Sequence, residues 1–250
     1  MMSREPVERP CVNSVPSAPP SRAWHARLVR FARDWALSVL IGAIALSAVG
    51  KVGEDVFAHE STSFDGAVQD WVLSHENAAL EAAFVVVTTA GGVGGMGLLS
   101  LVGACYLWRR VHRRVAAAVM LAPAVAITLF SISKRLFARA RPLGLGGIVP
   151  SSYSFPSGHA TAAAAVCCTL AYVFWREGFV RGRRALAFAV IAPLLVGMSR
   201  VYLNVHWATD VLGGWSAGLL IAVLSATLYD RNRRRHDASP PHFPPSFKPS

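Results

Sequence analysis

The chain is short of charge: only 16% of its 250 residues are Asp, Glu, Lys or Arg, against 53% hydrophobic. A soluble domain carries about 25% charged residues, so a water-facing surface around most of this chain is excluded. Cysteine is scarce as well. Cys11, Cys105, Cys167 and Cys168 show no C-x-x-C spacing, and three of them lie in apolar stretches where a thiol acts as a small hydrophobe. Neither a disulfide framework nor a zinc site is expected. Polar stripes are missing too: the stretch from Ala162 to Cys168 is apolar throughout, whereas a soluble helical bundle needs polar residues every three to four positions. The first thirty residues lack an apolar core followed by a small-residue cleavage site, so no cleavable signal peptide is expected. Basic residues outnumber acidic ones by 25 to 14. They form no stripe interleaved with aromatics, and no nucleic-acid partner is expected.

What is present is a ladder of apolar runs, with a mean hydropathy of +0.40. A bilayer span needs about 20 mostly apolar residues, and six stretches qualify: 35–52, 78–108, 115–133, 160–175, 185–201 and 211–229. The second exceeds one span, and Gly91, Gly92, Gly94, Gly95 and Gly97 point to a break or a close helix contact inside it. The expected fold is therefore all-α, a bundle of six transmembrane helices occupying residues 31–230. Prolines crowd both ends, so residues 1–30 and 231–250 read as disordered tails. Trp35, Trp108, Trp175 and Tyr229 fall at run ends, as an interfacial aromatic belt requires. Residues 63–75 read as a short interfacial helix with Phe64, Val68, Trp71 and Val72 on one side.

Cytoplasmic loops are enriched in Lys and Arg, and here nineteen of the 25 fall on one side of the ladder, together with both ends of the chain. Both termini are thus expected in the cytoplasm. The opposite side holds Lys51, Lys134, Arg135, Arg139, Arg141 and Arg200. Five of these six concentrate in two places. Cations that depart from the topological pattern are functional candidates.

Lys134 and Arg141 are seven apart, which on a continuing helix would put them on one face about 10 Å apart; there they would repel unless an anion or water lay between them. Before the fourth run stands Pro156-Ser157-Gly158-His159. Pro, Ser and Gly open a helix whose first amides lack internal partners, a ready anion site in which the Ser157 hydroxyl and the close approach allowed by Gly158 both help. Before the sixth run, His206 and Asp210 are four apart, so one helix face would bring carboxylate to imidazole. Asp210 could then accept a hydrogen bond from Nδ1 and leave Nε2 free to attack. Arg200 adds a planar fork suited to phosphate oxygens. All three places share the outward face, and together they supply what phosphoryl transfer needs, with no metal-ligand cluster and no implied cofactor.

These residues resemble the three-part signature of the type 2 phosphatidate phosphatase and vanadium haloperoxidase superfamily: Lys134 with Arg141-Pro142, then Pro156-Ser157-Gly158-His159, then Ser199-Arg200 with His206 and Asp210. The resemblance covers roughly residues 35 to 230. It implies that His206 is a nucleophile forming a phosphohistidine, that Asp210 orients it, and that His159 protonates the leaving group and then activates water. It further implies that Lys134, Arg141, Ser157, Gly158 and Arg200 hold the phosphoryl oxygens. Asn204 and Trp207 receive no role, and Arg135 and Arg139 only add positive potential.

The expected protein is an integral-membrane lipid phosphate phosphatase of the cell membrane, working on the periplasmic or extracellular face. Its partners are a lipid phosphate substrate and the surrounding lipids. Phosphatidate, phosphatidylglycerol phosphate and polyprenyl diphosphates such as undecaprenyl diphosphate remain open as substrates. Two other functions remain open as well: a lipid phosphotransferase using the same residues, and a lipid-phosphate-binding protein without catalysis. Oligomeric state is not legible.

Overall fold

The computed structural model describes residues 21–58, 60–142 and 152–237. Most of the segment 143–155, expected to shape access for a headgroup, lies outside these residues, as do 1–20 and 238–250 of the two tails. Every regular element described is a helix: α1 (Ser21–Phe57), α2 (Thr62–Ser74), α3 (Ala78–Ala90), α4 (Val93–Arg110), α5 (Arg113–Phe137), α6 (Gly158–Arg176), α7 (Gly182–Tyr202) and α8 (Ala208–Asp237). Helix thus begins at Ser21 and runs to Asp237, inside both segments read as tails. By its contacts the chain divides after Leu37; the described part of the first unit is the opening of α1, and everything from Ser38 onward belongs to the second.

Within the second unit, α6 packs against α4, α5, α7 and α8. Its composition explains why. Ala160, Ala162, Ala163, Ala164 and Ala165 are all buried, and small side chains let helix backbones approach closely where lipid offers no hydrophobic drive for association. On α8, Gly214 and Gly218 complete the fit. A Cβ on Gly214 would stand 2.8 Å from the Ser157 carbonyl oxygen, and one on Gly218 would stand 2.5 Å from that of Thr161.

Pro193 lies inside α7 and cannot donate to the carbonyl four residues back. The Cys168 thiol on α6 donates to that Ala189 oxygen at 3.5 Å, and the Trp215 indole on α8 donates to the Pro193 carbonyl at 2.9 Å. Side chains from both neighbours thus bond the backbone around the proline, as membrane helices require.

Four helices are long and apolar enough to cross a bilayer: α5, α6, α7 and α8 as far as Arg234. The glycine-rich second run is bent, with α3 and α4 meeting at 51° across Gly91 and Gly92; taken as one span, the pair makes a fifth. The described part of α1 is not among them. It carries Lys51 beside Glu54 at 3.6 Å and Asp55 at 2.8 Å, a charged last stretch. Large apolar side chains such as Leu98, Val102, Leu186, Val190 and Leu224 are exposed around the bundle, as a lipid-facing surface demands. Trp108 and Trp175 are exposed, in keeping with an interfacial belt, but Tyr229 is not. It is fully buried, donates to the Glu177 carboxylate and accepts from Arg233 at 3.1 Å, because its run end packs against the end of α6.

Gly218→Leu should destabilise the detergent-solubilised protein by about 1–3 kcal/mol through overpacking, read as a lowered thermal midpoint. Gly94→Ala is the control: its added methyl meets nothing within 4 Å, and it should leave the midpoint unchanged or slightly raised.

Candidate functional site

The three motifs meet where α5 ends, α6 begins and α7 turns into α8. The first does not lie on one helix face as expected. Helix α5 stops at Phe137, and Ala138 adopts the left-handed conformation (φ 44°) with its N–H on the Lys134 carbonyl at 3.1 Å. This αL stop sends residues 139–142 out of the helix. Beyond that stop Arg139 and Arg141 both reach the third motif, Arg139 at Asp210 and Arg141 at Val205 and His206. Arg141 donates to the Val205 carbonyl at 2.6 Å and to His206 Nε2 at 3.0 Å. Lys134 still converges with Arg141, because both donate to the Ser152 hydroxyl at 3.1 Å.

His206 and Asp210 do not share a helix either. Helix α7 ends at Tyr202, and Asn204 takes a positive φ of 52°. The Arg200 carbonyl accepts from the amides of Val205 and His206 at 3.2 and 3.3 Å. His206 therefore sits in the turn before α8, its backbone folded back onto the end of α7. Asp210 lies in the first turn of α8. Its Oδ2 caps that helix by accepting the Trp207 amide at 2.9 Å, accepts a hydrogen bond from the Ser154 hydroxyl, and stands 3.3 Å from His206 Nδ1.

The geometry fixes the tautomer of His206. A guanidinium has donors and no lone pair, so Nε2 facing Arg141 must be the acceptor and the ring proton must reside on Nδ1, toward Asp210. The ring is 3% exposed. Burial above all, with Arg141 adding to it against the opposing pull of Asp210, pushes the imidazole down to about 4; the ring is therefore neutral at pH 7. Burial likewise holds Arg141 below its ordinary value.

The second motif joins through the backbone: the Ser157 amide donates to the Asp210 carbonyl at 3.0 Å. Ser157 is the N-cap of α6, yet its side chain makes no capping bond. Its Oγ is buried without a hydrogen-bond partner among the described residues, and so is Arg200 Nε. A buried hydroxyl left open at the α6 N-terminus and a buried guanidinium N–H left open on Arg200 both suit an anion. Arg200 is steadied by Thr88 on α3, 2.7 Å from its guanidinium. Gly158 is buried as the first residue of α6. His159 follows it, and its Nε2 lies where a Cβ on Gly92 would come within 3.2 Å. The α3–α4 break therefore forms a wall of the site, bringing Thr88 to Arg200 and Gly92 to His159. Among the described residues, no group of three or more His, Cys, Asp or Glu is placed to hold a metal ion.

Sequence reasoning missed a second layer of partners. Arg139 forks between two carboxylates, Asp210 Oδ1 at 2.7 Å and Asp65 Oδ2 at 2.6 Å, and lies 5.7 Å from the centre of the Trp207 ring. Ser154 bonds Asp210, Thr209 and Ser61 bond Arg139, and Thr88 bonds Arg200. Arg139 had one legible signal, its place among the outward cations.

Comparison with known proteins agrees with this architecture. Residues 114–234 match the PAP2 superfamily. Phosphatidylglycerophosphatase B of Bacillus subtilis is 40% identical over 99 residues, covering 38% of this chain and 49% of that protein. Undecaprenyl-diphosphatase of Sulfolobus acidocaldarius is 31% identical over 150 residues, covering 54% of this chain and 69% of that one. The crystal structure of a transmembrane PAP2 type phosphatidylglycerolphosphate phosphatase from Bacillus subtilis superposes with a TM-score of 0.69 at 26% identity, over 76% of this chain and 96% of that chain. The chain belongs to the PAP2 superfamily, and it is a membrane protein. It spans about half the length of the first of these relatives.

Imidazole nitrogen NMR on detergent-solubilised protein should find His206 neutral at pH 7, protonated on Nδ1, and titrating near 4, with His206→Gln assigning the signal. Titration near the ordinary histidine value would contradict the burial described.

Proposed function

We propose that this protein is a lipid phosphate phosphatase that hydrolyses a phosphomonoester or diphosphate of a lipid through a phosphohistidine on His206. The observation that carries this reading is the neutral His206 ring, whose Nε2 lone pair is turned toward Arg141 while Nδ1 is held by Asp210. That is the state a nucleophilic imidazole must have before it attacks.

In this mechanism a phosphoryl group displaces Arg141 from Nε2. Arg141, Lys134, Arg200, the Ser157 hydroxyl and the amide of Gly158 hold its oxygens. The Nε2 lone pair attacks phosphorus, the bond to the leaving oxygen breaks, and His159 gives that oxygen its proton. Positive charge appearing on His206 is stabilised by the carboxylate of Asp210. His159, now neutral, takes a proton from water as that water attacks the phosphohistidine, releasing phosphate and restoring both rings. The charge that develops meets cations and dipoles fixed in place, which is where most phosphoryl-transfer catalysis comes from.

We place this chemistry in a domain over residues 31–230 with six spans, α1 supplying the first and the α3–α4 pair the second. Both termini lie in the cytoplasm, and the site opens on the periplasmic or extracellular face. The asymmetry of Lys and Arg supports that orientation. The relatives' names support phosphatidylglycerol phosphate or undecaprenyl diphosphate as substrate, and phosphatidate completes the panel.

The test is phosphate release from that panel of detergent-dispersed lipids. Wild type should turn over at least one of them in the presence of EDTA and be inhibited by vanadate. His206→Ala should lose at least about a thousandfold in kcat, as removal of a nucleophile does. A wild type that binds these lipids without releasing phosphate would make the protein a binder. Abolition by EDTA with rescue by magnesium would reject the mechanism.

The pH profile of kcat should be bell-shaped, since in the substrate complex His206 must be neutral and His159 must carry the proton it gives. Because His206 is held near 4, activity should rise as pH increases through about 4, well below the ordinary histidine range. The alkaline limb reports loss of the His159 proton in the substrate-bound enzyme, where the phosphate dianion beside the ring favours its charged form.

A further inference from the structure

Helix α2 lies outside all three motifs, yet it is bonded to the third at several points. Its inward face carries Asp65, 2% exposed, and Val72, 3% exposed, while Phe64 and Trp71, expected on the same face as Val72, are more than half exposed. Asp65 Oδ1 accepts the Thr209 amide at 2.9 Å, and Oδ2 accepts the Thr209 hydroxyl and Arg139, both at 2.6 Å. The other fork of Arg139 holds Asp210 at 2.7 Å. One turn further along α2, Gln69 donates to Asn204 at 3.2 Å. A buried carboxylate with this many donors is held in one orientation, and here it fixes an arginine that serves two acids.

We propose that Asp65 is a positioning residue for the phosphoryl-transfer site: through Arg139 and Thr209 it sets the direction and the effective charge of Asp210, and thereby the basicity of His206. The inference rests on the function proposed above. The argument is one of shared charge. With Asp65 ionised, Arg139 divides its two ends between the two carboxylates, and Asp210 keeps enough negative charge to support an imidazolium. Without that charge on α2, Arg139 closes on Asp210 alone, draws its oxygens away from His206 Nδ1 and neutralises them. His206 then becomes a weaker base and its positive intermediate is less stabilised. Substrate binding, which relies on Lys134, Arg141, Ser157 and Arg200, is untouched.

The experiment is a double-mutant cycle between Asp65→Asn and Asp210→Asn, read as kcat and KM for phosphate release by full-length protein, with the acid limb of the pH profile recorded. Partners that orient the ligating side chains of metal sites cost about 10–100-fold when changed, and a loss of that size is expected for Asp65. Asp65→Asn should lose kcat in that range with KM within about threefold, its acid limb should move to lower pH, and Asp65→Glu should recover part of the loss. In the Asp210→Asn background the same change should cost less than about twofold, because the two residues act as one unit.

An unchanged kcat in Asp65→Asn, or equal losses in both backgrounds, would overturn the proposal, since either result makes Asp65 a fold residue only. Where Asp65→Asn is not recovered in folded form, Thr209→Val, which removes one hydroxyl shared by Asp65 and Arg139, runs the same cycle and is decided by the same two outcomes. Failure of the underlying reading looks different: wild type and His206→Ala would release phosphate equally, or neither would.

Discussion

The site hangs on the carboxylate of Asp210. It is fully buried at the start of α8, where a negative charge is favoured by the helix dipole, and its oxygens are shared among four partners. Arg139 takes one oxygen; Ser154, the Trp207 amide and His206 share the other. They come from three separate parts of the chain: the exit from α5, the approach to α6 and the turn before α8. A buried charge with fewer donors would destabilise the fold by several kcal/mol. The convergence of the motifs and the ionisation of this acid are one and the same arrangement.

The bundle around it is built for rigidity at one end. Alanines on α6 and glycines on α8 bring these helices into backbone contact just below the site, so the Ser157 amide can reach the Asp210 carbonyl. Larger residues at Gly214 or Gly218 would push α8 outward and open that link. The α3–α4 break serves the same end. A straight helix at that place would carry Thr88 and Gly92 past Arg200 and His159, whereas the bend at the two glycines holds both against them.

Much of this was legible in the sequence because it depends on chemistry carried by single residues at short range. Apolar runs located the four helices long enough to cross a bilayer and the bent pair that would make a fifth, the glycine cluster announced the bend, and Ser157 with Gly158 marked a helix start. Geometry between motif residues was legible only in part. Spacings of seven and four suggested helix faces for Lys134 with Arg141 and for His206 with Asp210. The backbone instead turns through left-handed residues at Ala138 and Asn204, neither of them glycine, so composition gave no warning. Asp65 could not be read at all: its partner Thr209 lies 144 positions away, and an acid in an aqueous loop is ordinary until the fold buries it.

Sharing Arg139 between two acids has an electrostatic consequence for ligand choice. Around the site stand four cations, Lys134, Arg139, Arg141 and Arg200, and two carboxylates, Asp65 and Asp210, leaving a formal excess of two positive charges before the His159 proton is counted. Near a low-dielectric bilayer such an excess is poorly screened. A headgroup bearing a terminal phosphate dianion cancels it, whereas a phosphodiester monoanion leaves half of it standing. Charge parity alone thus favours lipids that end in phosphate over the ordinary phospholipids that surround the protein in far greater number.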